Sequence, residues 1–338
     1  MLFDGFARRA FGGSSDAGSA LVEAARRPLK IGLALGGGAA RGWAHIGVLR
    51  VLAEAGLKPD IIAGCSIGAV VGGCYAAGRL DELEYFARAL TRRRIMGLLD
   101  FHITGSGLIG GDRLRKLLNI DLGESRIETL PIRFATVATE LNSGHEIWLT
   151  RGPLVEALGA SYALPGVFDP VRIGGRWLMD GALVNPVPVT VARALGADLV
   201  ICVNLNGEIR LRGTVIQSMT DESETHDAAL DEPRSRGFFG ASIRRPARPP
   251  AAPGIAAVMI DAFNITQDRI SRSRLAGDPP DVMIAPKLQS VGLFEFHRAA
   301  ECIDRGMDAA RRALPDIREL ADIAVARPVT PPLQAVAM

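Results

Sequence analysis

Short apolar runs alternate along this chain with stretches in which apolar residues recur at every third or fourth position. "LKIGLAL" (29–35) is a compact apolar run ending in glycines and reads as a buried strand. Residues 39–56 carry apolar side chains at helical spacing and stop at Gly56, a C-terminal helix signal. "DIIAGC" (60–65) repeats the strand pattern and "SIGAVVGGCYAAG" (66–78) the helix pattern. A charged helix over 81–94 follows, then a strand pair at 132–141 and 144–150, a strand "RWLMD" (176–180), a helix near 186–196 and a strand "DLVICVNL" (198–205). The pattern closes with a helix over 255–275, the strand "DVMIAPKL" and a helix over 295–313. Apolar strands alternating with helices predict the α/β class, with a mainly parallel central sheet and helices on both faces.

One stretch breaks the alternation. Residues 221–232 hold six acidic groups and no Lys or Arg, whereas 234–248 hold five arginines and no acid, and prolines follow. Segregated charge with so little apolar surface cannot bury itself, so 207–254 is expected to be a disordered insertion within a single domain over 29–315. That leaves an N-terminal extension (1–28) and a C-terminal tail (316–338). Residues 61–78 lack any charged side chain, a length that approaches a membrane span, but five of those residues are glycine and Asp60 places a strand start beside them. A strand and turn are the better reading.

Composition then narrows the chemistry. A net charge of +2 over 338 residues gives no basic field for nucleic acid. The cysteines, Cys65, Cys74, Cys202 and Cys302, form no C-x-x-C pair and read as buried thiols of a reducing compartment. No apolar signal segment opens the chain, so a cytoplasmic location is expected. Phe3, Phe6 and Phe11 with Arg8 and Arg9, and "TRRRIMGLLDF" (91–101), are segments that could give weak peripheral contact with the inner face of a membrane.

"GGGAARG" (36–42) joins the first strand to the first helix, where converging backbone N–H groups make an anion site. One occupant is a dinucleotide pyrophosphate, though the G-x-G-x-x-G register fits incompletely and Asp60 is as much a strand-start residue as a ribose ligand. The other is the oxyanion of acyl transfer. "GCSIG" (64–68) at the next strand end matches G-x-S-x-G, the turn that exposes a nucleophilic serine, Ser66. Adjacent strand ends of an open parallel sheet line one crevice, so the two loops can meet. A base is less obvious: His45, His102, His145, His226 and His297 are all candidates, and none sits where the last-strand histidine of an α/β-hydrolase would. "MDGA" places Asp180 and Gly181 at the end of an apolar stretch as an acidic alternative.

In "LALGGGAARGWAHIGVL", "GCSIG", "ASYALPGVFDPV" (160–171) and "LMDGALVNPVPV", in this order, the chain resembles the patatin-like phospholipases, in the bacterial branch related to neuropathy target esterase. The resemblance covers about 29–205. It implies hydrolysis of lipid acyl esters without cofactor or metal, by a dyad of Ser66 and Asp180. It also implies an oxyanion hole at Gly37, Gly38 and Ala39, with Gly36, Gly42, Gly64, Gly68 and Gly181 as motif glycines. Asp180 would then need burial to raise its pKa. Ala39 stands where the family's G-x-G-x-x-G loop, Gly37 to Gly42, has a glycine, which is tolerable at negative φ. Arg41 is either a surface charge at the helix start or a functional residue, as a loop anchor or a contact for lipid phosphate. A dinucleotide-binding oxidoreductase and a lipid-binding module with a vestigial site are the readings from other classes.

Overall fold

The computed structural model describes residues 28–98, 112–207 and 254–326. Three parallel strands, β1 (Ile31–Leu35), β2 (Ile61–Cys65) and β3 (Arg133–Glu140), stand side by side, and β7 (Leu199–Val203) and β8 (Val282–Ile284) extend the parallel set beyond β1. β4 (Glu146–Leu149), β5 (Val171–Ile173) and β6 (Arg176–Asp180) add antiparallel pairings at the β3 end, completing eight strands. The mainly parallel sheet is therefore as the alternation predicts.

Period-two side chains sort the core. Leu33, Leu35, Ile62, Phe134 and Ile201 face helices α1 (Ala44–Glu54), α2 (Ile67–Ala76) and the late helix α9 (Ala299–Ala326). Ala34, Ala63, Ala135, Val200 and Cys202 face Val189, Val191 and Ala192 of α7 (Val189–Ala194). α1 and α9 approach backbone to backbone, because a Cβ at Gly47 would lie 2.0 Å from the Ile303 carbonyl oxygen and one at Gly306 2.0 Å from that of Ala44. All four cysteines are buried free thiols.

Several elements depart from the sequence pattern. The charged helix over 81–94 is two helices, α3 (Leu80–Arg88) and α4 (Arg92–Leu98), because Thr91 Oγ1 accepts the Arg94 N–H at 3.2 Å and caps a fresh start. The first helical segment opens with a 3₁₀ turn over Ala39–Trp43 before α1 begins. Helices α5 (Asp112–Leu122) and α6 (Leu154–Ser161) are additions, and α8 is Ile255–Gly277. α9 runs through Pro315 to Ala326, past the end of the helix expected over 295–313. The extension 1–27, residues 99–111, most of the insertion (208–253) and the end of the tail (327–338), and with them Phe3, Phe6, Phe11, His102 and His226, lie outside the described residues. Among the described residues no helix is long and apolar enough to cross a membrane, and 61–78 is a strand followed by α2.

Candidate active site

β3 is longer than the strands it pairs with, and that decides the site. Its first half pairs with β2 up to Cys65↔Val137, and its second half pairs with antiparallel β6 starting at Asp180↔Ala138. β4 pairs with Thr136–Thr139 across both halves, so β2 and β6 share the opposite edge of β3. They run towards each other and stop at consecutive β3 residues. The turn after Cys65 and the end of β6 are thereby brought face to face, and Ser66 Oγ donates to Asp180 Oδ2 at 2.6 Å.

Ser66 caps α2 with φ 54° and ψ −124°, a left-handed backbone that costs a non-glycine residue about 1–3 kcal/mol. Close packing holds it there. A Cβ at Gly64 would lie 2.4 Å from Ala69 Cα, and one at Gly42 2.2 Å from the Ile67 side chain. The Ser66 N–H donates to Ser161 Oγ at 2.9 Å, and Ser161 Oγ donates to the Val137 carbonyl at 2.6 Å. Ser161 lies in "ASYALPGVFDPV" (160–171), one of the stretches that carry the family resemblance, but nothing in that stretch gives the serine a role; its place depends on α6 lying against β3.

Asp180 is buried, and that burial pushes its pKa up to about 6, against the opposing pull of hydrogen bonds from Ser66 and the Ala182 N–H. Oδ1 accepts the Ala182 N–H at 2.8 Å, which leaves Oδ2 for Ser66. The Asp180 backbone is pinned too: its N–H donates to the Ala163 carbonyl at 2.9 Å and its carbonyl accepts Thr139 Oγ1 at 2.8 Å. Gly181 is required by contact, since a Cβ there would sit 2.3 Å from the Val137 oxygen.

The Gly-rich loop lies against this pair: a Cβ at Gly37 would be 3.5 Å from Ser66 Cβ and 3.4 Å from Ala182 Cβ. Its peptide between Gly36 and Gly37 is held at both ends. The Gly36 carbonyl bonds His45 Nε2 at 2.8 Å, and the Gly37 N–H donates to the Pro186 carbonyl at 2.9 Å. The Gly37 donor is therefore engaged, which corrects its expected part in an oxyanion hole. The next two N–H groups, of Gly38 and Ala39, have no partner among the described residues. A Cβ at Gly38 would meet Leu205 Cδ1 at 2.7 Å and Leu205 Cβ at 3.0 Å, so a larger residue there requires the Leu205 side chain to move.

Ala39 does not meet the condition under which alanine replaces glycine without strain, for its φ is 48° and not negative. Ala39→Gly is expected to keep activity and lose no more than about 0.5 kcal/mol of stability, since relieved strain offsets added chain entropy. Ala39→Val, β-branched, should cost about 1–3 kcal/mol and lower kcat at least about tenfold. Equal kcat for the two variants, measured on a soluble aryl ester, would show that this N–H takes no part.

Among the described residues, none of the three histidines is bonded to Ser66. His45 is fully buried, donates Nε2–H to Gly36, and has its pKa lowered to about 4 by burial, so it is a neutral anchor of the loop. His145 sits in the exposed β3–β4 hairpin 3.7 Å from Glu140, and His297 Nε2 accepts Arg92 Nε–H at 3.2 Å. Arg41 is an anchor in the same sense: Nε donates to the Val291 carbonyl at 2.8 Å and Nη1 to Asn206 Oδ1 at 3.2 Å. Asp60 caps the opposite end of the sheet, its Oδ2 accepting the Ile31 N–H at 2.8 Å, so it is remote from the loop that a ribose would need.

The patatin-like phospholipase family model matches residues 33–193, which contain the Gly-rich loop, Ser66, Ser161 and Asp180. An NTE family protein of Mycobacterium tuberculosis, itself uncharacterised, is 38% identical over 328 residues, spanning 84% of this chain and 91% of its own. The chain belongs to the patatin-like phospholipases, in the NTE family. A lysophospholipase, nte1, of Emericella nidulans is 32% identical over 180 residues, 52% of this chain and 12% of that one. Among solved structures, VipD of Legionella pneumophila aligns over 86% of this chain and 67% of its own, with a TM-score of 0.48 and 14% identity. Membership of a patatin-like phospholipase family supports a lipid hydrolase activity.

Proposed function

We propose that this patatin-like protein hydrolyses acyl esters of phospholipids, lysophospholipids or related lipids, with Ser66 as nucleophile and Asp180 as base. The 2.6 Å hydrogen bond from Ser66 Oγ to a carboxylate with pKa about 6 carries the reading. Ser66 Oγ attacks the ester carbonyl carbon while Asp180 Oδ2 takes the hydroxyl proton. The tetrahedral oxyanion is received by the Gly38 and Ala39 N–H groups, each such donor being worth roughly 3 kcal/mol. The N-terminus of α2 adds its positive dipole end at Ser66. Collapse breaks the ester bond, the alcohol leaves with the proton from Asp180, and the acyl group stays on Ser66. A water, deprotonated by the same carboxylate, then releases the fatty acid.

Labelling of the purified protein with a fluorophosphonate, with Ser66→Ala beside it, tests this directly. Labelling of both proteins alike would remove Ser66 as nucleophile, and no labelling of either would return the vestigial lipid-binding reading.

We also infer that the protein acts in the cytoplasm, peripheral to the membrane. Free, buried thiols suit a reducing compartment, and Arg92, Arg93, Arg94 and Met96 are exposed on α4. Basic residues near an anionic surface contribute about 1 kcal/mol each. Binding to phosphatidylserine-containing vesicles should exceed binding to phosphatidylcholine vesicles and fall with added salt. Equal partition onto both would remove the electrostatic contribution.

A further inference from the structure

The β2–β3 ladder stops one rung early. Arg133 opens it by donating its N–H to the Asp60 carbonyl at 3.1 Å. In a parallel pair the same residue also accepts through its carbonyl, and participation recurs at every second residue. Ala135 and Val137 are therefore in phase with Arg133, opposite Ala63 and Cys65. The rung due next would run from the Ser66 N–H to the Val137 carbonyl. In its place stands the hydroxyl of Ser161, which accepts from Ser66 N at 2.9 Å and donates to Val137 O at 2.6 Å. Ser161 is fully buried, and Gly181 crowds the same carbonyl, where an added Cβ would come within 2.3 Å.

We propose that Ser161 is a positioning residue for the nucleophile: its hydroxyl, inserted into the ladder, holds the Ser66 peptide away from β3 in the left-handed turn. This rests on the reading of Ser66 as nucleophile. A direct rung would draw the Ser66 N–H towards Val137 and continue β2 by one residue. Strand geometry at that residue has negative φ, incompatible with the observed 54°. The Ser66 Oγ would then leave Asp180 Oδ2. The inserted hydroxyl satisfies both buried groups while keeping them one oxygen apart, which a methyl group of similar size cannot do. Ser161 never reaches the reacting atoms, so its removal should slow chemistry without weakening substrate binding.

The test is steady-state kinetics of Ser161→Ala and Ser161→Thr on a soluble aryl ester, beside Ser66→Ala, each variant first checked for a cooperative thermal transition. Ser161→Ala is expected to lower kcat about 100-fold, as a misplacement of the order of 1 Å does, with KM changed less than about threefold. Ser161→Thr, which keeps the hydroxyl, should recover kcat to within about tenfold of wild type. If Ser161→Ala does not accumulate as folded protein, Ser161→Cys is read the same way, because its thiol is a weak donor and acceptor. A folded Ser161→Ala with kcat within about twofold of wild type overturns the proposal, as does a rise in KM at constant kcat. Full activity in Ser66→Ala instead overturns the nucleophile assignment, whatever the Ser161 variants do.

Discussion

Asp180→Asn is expected to lower kcat/KM on a short-chain aryl ester by about 10³–10⁴-fold while the protein stays folded. Asparagine can still accept the Ala182 N–H through Oδ1 and donate to Ser66 Oγ, so the geometry survives and only the proton acceptor is lost. His297→Ala, measured in parallel, should stay close to wild type, because that ring is bonded to Arg92 on another part of the surface. His45 is a poor control: removing it frees the Gly36 carbonyl and opens a hole in the core. If His297→Ala is as inactive as Asp180→Asn, the dyad is wrong and a Ser-His-Asp arrangement returns.

The same carboxyl sets two pH dependences. Activity needs it ionised, so kcat/KM of the wild type should rise with pH through about 6 and then level. Stability runs the other way. A carboxyl raised from 3.8 to about 6 in the folded state contributes stability that is full below 3.8 and lost as pH rises through about 6. Roughly two pKa units correspond to about 3 kcal/mol, so Asp180→Asn should be the more stable protein at pH 8 and lose that advantage near pH 4. His45 is the opposite case: lowered from 6.5 to about 4, it contributes stability present above 6.5 and lost as pH falls through 4. In the wild type the two offset each other between about pH 4 and 6. Urea unfolding of both proteins at pH 4, 6 and 8 isolates Asp180 as the difference between them, and a difference independent of pH would refute the raised pKa.

Gly68→Ala is the second large effect, and it concerns the framework of the site. A Cβ at Gly68 would stand 2.2 Å from the Leu35 carbonyl oxygen, 2.6 Å from Leu35 C and 2.7 Å from the Gly36 oxygen. All three are backbone atoms, held by the β1 ladder and by His45, so none can swing aside. Overpacking of this kind costs about 3 kcal/mol or more, lowering Tm by on the order of 10 °C or preventing recovery of soluble protein. Any folded fraction should have lost esterase activity, since the displaced Leu35 and Gly36 backbone leads directly into the loop that presents the Gly38 and Ala39 N–H groups. Gly97→Ala, on exposed α4 with nothing within 4 Å, should cost nothing. A Gly68→Ala protein with wild-type Tm and kcat would show that the α2 start can shift away from β1 without consequence.

Much of this protein is legible in its order of residues, because local signals report local geometry. Apolar runs bounded by glycines place β1, β2 and β7, since a strand buried on both faces tolerates no polar side chain. Gly64 and Gly68 around Ser66 mark a turn in which backbone touches backbone, and Asp180-Gly181 marks another. The α/β class and the candidate nucleophile Ser66 follow from such signals, whereas Asp180 as its base came from the family resemblance and not from Asp-Gly alone. The sequence misplaced what depends on neighbours distant in the chain. It did not separate α3 from α4, and it ended the last helix at 313, two residues before Pro315, whose cost inside α9 is offset by the packing of that helix along α1. Which loop amide is free is decided by Pro186, a residue of another loop that captures the Gly37 N–H. That Ala39 adopts positive φ is imposed by the surrounding chain against its own preference. The place of Ser161 is the clearest case: a serine 95 residues from Ser66 becomes part of the elbow only because α6 crosses β3 where β2 and β6 both end. Sequence reports the shape each segment prefers, and tertiary packing decides which donors, acceptors and backbone angles remain once the segments meet.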